Sequence, residues 1–146
     1  MYITTFQKGE PKVKMKILVN CSNHPSTKWS EEQRKGWDKI VDVPFPNVDP
    51  KWDTKDKPFL ETVNRLKEEI LTAFEDARPT GTDAEEYLML QGEFSICYTL
   101  FTERTTTFRG IRFVVPTTER VTQEEMLPDG TVRKTQVFQF VRWRII

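Results

Sequence analysis

Apolar positions along the chain change period repeatedly, from the consecutive runs of a buried strand to the three-or-four spacing of a helix. Val13 to Val19 (VKMKILV) is β-branched and apolar, which predicts a buried strand. Ser30 followed by Glu31, Glu32 and Gln33 reads as a capping box that starts a helix of about three turns, with Trp29, Gln33, Trp37 and Ile40 near one face. Ile40 to Phe45 (IVDVPF) reads as a short strand stopped by Pro44 and Pro46. Asp56 and Pro58 then mark the start of a helix on which Phe59, Val63, Leu66, Ile70 and Phe74 recur at helical spacing. A third strand, Tyr87 to Gln91, runs through Gly92 into a third helix. There Phe94, Cys97 and Phe101 form a stripe that Ile96 and Leu100 widen. Ile111 to Val115 is a fourth strand. Beyond it, TTERVTQEEML and TVRKTQVFQFVRWRII flank a Pro-Asp-Gly turn, a hairpin signal. The opening MYITTFQKGEP, closed by Gly9 and Pro11, reads as an extension or an added edge strand. Residues 1–12 are thus set apart from a single domain over 13–146.

Strands that alternate with helices imply parallel β-α-β units with right-handed crossovers, and the terminal hairpin adds an antiparallel end. The expected architecture is a three-layer, Rossmann-like α/β domain, mostly parallel, with strand order 2-1-3-4-5 and a C-terminal antiparallel β-hairpin. In such sheets a ligand sits outside the carboxyl ends of the strands, where the winding reverses between β1 and β3. That rule turns two polar stretches into a candidate site: Asn20, Cys21, Ser22, Asn23 and His24 after the first strand, and Gln91, Gly92 and Glu93 after the third. Pro116 to Arg120 (PTTER) brings Thr117, Thr118, Glu119 and Arg120 beyond the neighbouring strand. A helix that starts directly after Gly92 offers free N–H groups to an anion, and Arg120 has the fork that suits a phosphate.

Each of these residues also has a plainer reading. His24, the chain's one histidine, fits a loop residue as well as a proton carrier, and Ser22 and Asn23 fit turn caps. Cys21 reads as a small buried residue or as a nucleophile paired with His24. Glu93 and Glu119 fit helix-start or surface charges as well as acid/base groups. Trp29, Trp37 and the aromatic residues of VFQFVRW read as core or a subunit contact rather than a base-stacking platform.

Composition narrows the classes. Lys plus Arg and Asp plus Glu are 22 each, so no overall basic field exists to hold duplex nucleic acid by its backbone, and an anion must be met locally. One histidine and two distant cysteines match no zinc spacing, and neither GxGxxG nor GxxxxGK[ST] occurs. The chain is expected to carry no metal or other cofactor. No stretch reads as a signal peptide or a membrane span, which gives the expectation of a cytoplasmic protein with reduced thiols.

The run ILVNCSNHPSTKWSEEQ, then IVDVPFPNVDP, LQGEF before a helix, TTERV and a closing VFQFVRWR also resembles a family. It is similar to the small prokaryotic Rossmann-like proteins of CRISPR defence neighbourhoods, relatives of the domain that senses cyclic oligoadenylates. The likeness spans roughly Met15 to Arg144. The resemblance implies a homodimer that binds a cyclic oligonucleotide across paired strand ends and in some relatives cleaves it without metal. Ser22, Asn23, His24, Gly92, Glu93 and Thr117 to Arg120 match its motifs. No basic residue stands beside Gly92, where many such sensors have one, and this weakens cleavage more than binding. In a cleaving member a ribose 2′-hydroxyl would attack the adjacent phosphodiester, with His24 as general base or acid and Arg120 on the charged phosphorus centre. Two other classes stay open: an enzyme on a nucleoside or sugar phosphate with Glu93 moving the proton, and a non-catalytic interaction module.

Overall fold

The computed structural model describes residues 14–81 and 83–146, so the extension or edge strand expected over MYITTFQKGEP lies outside the described residues. Five strands form one sheet in the order β2-β1-β3-β4-β5. β1 (Met15–Ser22) pairs in parallel with β2 (Lys39–Pro44) on one side and β3 (Ala84–Leu90) on the other. β4 (Arg112–Met126) runs parallel to β3, and β5 (Val132–Ile145) returns antiparallel to β4. The expected topology, with its reversal between β1 and β3, is the observed one.

The two faces of this sheet are covered very differently. Alternate residues of β1, Ile17, Val19 and Cys21, face a core shared with α2 (Lys57–Ala77) and α3 (Phe94–Phe101). On α2 the helical stripe Phe59, Val63, Leu66, Ile70 and Phe74 is buried as its spacing predicts. Each such side chain contributes about 1.5–3 kcal/mol on leaving water. The stripe of α3 is rotated from the one expected. Ile96 and Leu100 are fully buried, Cys97 and Phe101 flank them, and Phe94 stands 79% exposed with its ring stacked on Tyr98. Phe94 is the first residue of the helix.

On the opposite face the expected three-turn helix is a single turn. α1 (Glu31–Arg34) begins as the capping box predicts, with the Gln33 N–H donating to Ser30 Oγ at 3.3 Å. It ends at once because Gly36 turns the chain in the left-handed region, at φ 92°. Trp29 and Trp37 therefore cover the sheet themselves, together with Ile40 and Trp143, over Leu18, Tyr87, Met89 and Val114. Trp37 meets Tyr87 at 5.0 Å and Trp143 at 5.6 Å, and Trp29 meets Trp143 at 5.6 Å. Trp143 also donates its Nε1–H to the Gln33 carbonyl at 3.1 Å, which ties β5 to the α1 turn.

β4 does not stop at Val115. Met89 opposite Val114 is the last pair between β3 and β4, so Pro116 sits where no β3 partner needs its missing N–H. From there β4 runs on to Met126 and the hairpin projects roughly 30 Å past the parallel strands, at about 3.3 Å per residue. A bulge breaks its ladder: Thr117 faces Arg142 but Thr118 faces Phe140, which leaves Val141 unpaired. Strict alternation would put Phe138, Phe140, Arg142 and Arg144 on one face with Val137, Val141 and Trp143 on the other. The extra residue instead joins Phe138, Phe140 and Trp143 on the tryptophan-covered face, where Phe140 and Trp143 meet at 5.6 Å, and sends Arg142 and Arg144 to the other.

Because Trp143 bridges β5, Trp29 and Trp37, Trp143→Ala should lower unfolding free energy by about 2–4 kcal/mol, in the range of aromatic truncations. Urea unfolding read by circular dichroism checks this. A loss below 0.5 kcal/mol, within what surface changes give, would remove the tryptophan cluster as the anchor of the hairpin base.

Candidate functional site

The thin face leaves a crevice of about 570 Å³ between the β1–β2 connection and the base of the hairpin. Asn23, His24, Lys28 and Gln33 line it from the connection, Gln91 from the end of β3, and Thr118 from β4. Trp29, Met89, Pro116, Phe138 and Phe140 supply its apolar walls. The crevice thus lies at the carboxyl end of β1 and β3, beside the winding reversal.

The connection is held by a hydrogen-bond network rooted in β1 and β2. Asn20, 1% exposed, donates its Nδ2 to the His24 carbonyl at 2.9 Å and to Asp42 Oδ1 at 3.0 Å. Its Oδ1 accepts from Ser22 Oγ at 2.6 Å, and Ser22 Oγ accepts from the His24 N–H at 3.1 Å. Asp42 Oδ2 accepts from the backbone N–H and hydroxyl of Ser26, which opens the 3₁₀ turn Ser26–Lys28. Trp29 Nε1–H donates to the same His24 carbonyl at 3.1 Å. The main chain of His24 is therefore fixed from three sides while its side chain stays exposed at the crevice.

Of the residues singled out from sequence, Asn23, His24, Gln91 and Thr118 share the crevice. Asn20 and Ser22 lie beneath it as the fasteners of its wall. Thr117 is on the opposite face of the hairpin, where its hydroxyl bonds both the N–H and the carbonyl of Arg142. Arg120 is on the crevice face but two residues beyond Thr118, with its guanidinium 5.3 Å over the Phe138 ring. Gly92 and Glu93 do not line the crevice. The Phe45 ring lies so close over Gly92 that an added Cβ would sit 2.6 Å from it. Glu93 is the N-cap of α3, where its carboxylate accepts from the Ile96 N–H at 2.9 Å and from the Ser95 hydroxyl. Partial burial acts to raise its pKa, yet these donors prevail and hold the carboxyl below its ordinary value. Its oxygens are thus occupied, and the start of α3 is closed by protein groups.

Cys21 is fully buried on the helix-covered face, away from the crevice. Burial, and after it the nearby Cys97 and Glu69, pushes its thiol up to about 12, which disfavours the thiolate a nucleophile needs. Glu119 lies on the Thr117 side of the hairpin. No group of three or more His, Cys, Asp or Glu among the described residues is placed to hold a metal ion.

Lys28, Gln33 and Asp42 join the residues expected from sequence, and Trp29, Phe138 and Phe140, which fit core or contact residues in the sequence, line the crevice. Asp42 carries a signal that was available: a lone carboxylate inside the apolar strand IVDVPF, opposite Asn20 in register. The hairpin aromatics carried none, since their face depends on the bulge.

Two sites test how these elements are fastened. Asp42→Ala removes a charged acceptor from three donors and should cost about 1.5–3 kcal/mol in thermal or urea unfolding; no change would show that the connection is held some other way. Gly92→Ala should destabilise by about 1–3 kcal/mol through overpacking, and Phe45→Leu in the same chain should recover part of it. Additive losses would place the two residues apart.

No helix of the described residues is long and apolar enough to cross a membrane. No curated protein and no solved structure matches the chain. One family model does, over residues 16–144, which takes in the sheet, the connection and the hairpin base alike. The chain belongs to the uncharacterized protein MJ1673 family.

Proposed function

We propose that this protein binds a nucleotide-type ligand in the crevice between His24 and the hairpin base. The observation that carries the reading is the combination of walls: flat aromatic surfaces from Trp29, Phe138 and Phe140 beside donors and acceptors from Asn23, Gln33, Gln91 and Thr118. A planar, hydrogen-bonding base fits such walls, because stacking on aromatic side chains is worth about 1–3 kcal/mol per base and amides pair with base edges. Lys28 at the crevice and Arg120 above Phe138 supply positive charge for a phosphate. The ligand class extends to a cyclic oligonucleotide messenger. Its ring would exceed one crevice of this size, so enclosing it takes two copies of the chain facing each other.

Among the lining residues only His24 and Lys28 can exchange protons. A phosphodiester cleavage here would therefore run through His24 taking the 2′-hydroxyl proton as the 2′-oxygen bonds to phosphorus and the P–O5′ bond breaks, with Lys28 on the developing charge and giving a proton to the departing 5′-oxygen, which leaves a 2′,3′-cyclic phosphate and a 5′-hydroxyl. Glu93, tied to the start of α3, is outside that step.

Isothermal titration of adenine and guanine mononucleotides and of cyclic oligoadenylates tests it. Wild type should bind at least one of them. Trp29→Ala should weaken that ligand by about 1–3 kcal/mol, and Arg120→Ala by about 1.5–3 kcal/mol, the worth of a hydrogen bond to a charged group. No binding by wild type, or equal affinities for wild type and Trp29→Ala, would overturn the proposal.

A further inference from the structure

Among the described residues β5 is the last strand of the sheet and no strand pairs with its outer edge along its 14 residues; the one bond there is local, from Arg142 Nε to the Trp143 carbonyl at 3.2 Å. The Ile146 N–H donates to the Phe113 carbonyl, which sets the alternation of the ladder. Carried through the bulge at Val141, that alternation turns the backbone N–H groups of Gln136, Phe138 and Phe140 outward. Thr135 to Phe140 (TQVFQF) is uncharged and apolar at Val137, Phe138 and Phe140, with Phe138 68% exposed. Edge strands of this kind recruit another strand unless they are blunted.

Charge says which strand. β5 carries Arg133, Lys134, Arg142 and Arg144 and no acidic residue. Arg133 and Lys134 are answered from β4 by Glu125 and Glu124. Arg142 and Arg144 face Thr117 and Val115 instead, and neither enters an ion pair among the described residues. The bulge sets both on the face away from the crevice, two positions apart, where the same face of an added strand would pass them. A second β5 is a poor match, since it would bring four more cations and no acid. We infer that β5 is a docking edge for an extended acidic peptide segment, which adds as a sixth strand and sets carboxylates against Arg142 and Arg144. Main-chain bonds to Gln136, Phe138 and Phe140 would supply affinity, and the two arginines the choice of partner.

The test uses the full chain and a fluorophore-labelled nonapeptide that alternates Glu with Val and Thr, long enough to run from Gln136 to Arg144, beside its Lys counterpart, in fluorescence anisotropy. The acidic peptide should bind and the basic one should not, and binding should weaken as salt rises. Arg142→Glu with Arg144→Glu should weaken it at least fivefold. Gln136→Pro removes one outward donor and leaves the β4 ladder intact, so it should also weaken binding at least fivefold while circular dichroism stays unchanged. Equal binding of both peptides, or undiminished binding by either variant, overturns the inference. So does a wild-type dimer in sedimentation that Gln136→Pro dissociates, since the edge then belongs to a second copy.

Discussion

Trp143 stands between Trp29 and Trp37, and this contact decides what the rest of the molecule can be. A parallel sheet needs both faces covered, because its strands are apolar on both sides. Here the first crossover holds one helical turn where a long helix would normally lie. Three indoles do the covering that a helix would have done, and they come from two distant parts of the chain. Since one of them belongs to β5, the hairpin cannot leave the sheet without uncovering Leu18, Met89 and Val114. The indoles cover less area than a helix. The crevice is the space they leave beside the strand ends.

A loop at such a place would ordinarily be mobile. This one is fastened from below by Asn20, an amide inside a strand that is otherwise buried and apolar. A buried amide is costly unless every polar atom is matched, and Asn20 is matched by His24, Asp42 and Ser22. The carbonyl of His24 takes donors from Asn20 and Trp29 together, so the polar network and the tryptophan cluster meet at one atom. Such a network makes the position of the His24 side chain reproducible without touching its ring. Rigid support beneath an exposed functional group is the arrangement that binding sites need.

The sequence disclosed strand order and the location of the polar turn because both follow from strong signals. The apolar runs of β1 and β3 and the helical stripe of α2 are long enough to outweigh local ambiguity. The length of α1 is not legible in the sequence, because the capping box at Ser30 marks a start while the stop at Gly36 depends on a single dihedral. The face of the C-terminal aromatics was illegible for a stronger reason. One unpaired residue, Val141, reverses the sidedness of everything after it, and period-2 alternation carries no record of a bulge. Glu93 shows the limit for single residues: a carboxylate directly before a helix is a cap or an acid, and only the Ile96 N–H aimed at it distinguishes the two.

The far half of the hairpin raises a question of stability as much as of function. Two strands alone are marginal in water, yet among the described residues Thr122 to Met126 and Val132 to Gln136 have no third strand, and none of their own residues is buried. The cross-strand pairs Glu125–Arg133 and Glu124–Lys134 are exposed and are worth about 0–1 kcal/mol each. The turn helps, with Gly130 at a positive φ and Asp129 accepting from Thr131, but a turn directs strands and does not hold them. The base of the hairpin is held by Trp143 and the bulge; the tip has only its own ladder. A strand added along β5 would extend that ladder from the anchored base toward the tip. Ordering the tip and occupying the edge would then be the same event, and the exposed length of β5 would follow from its use.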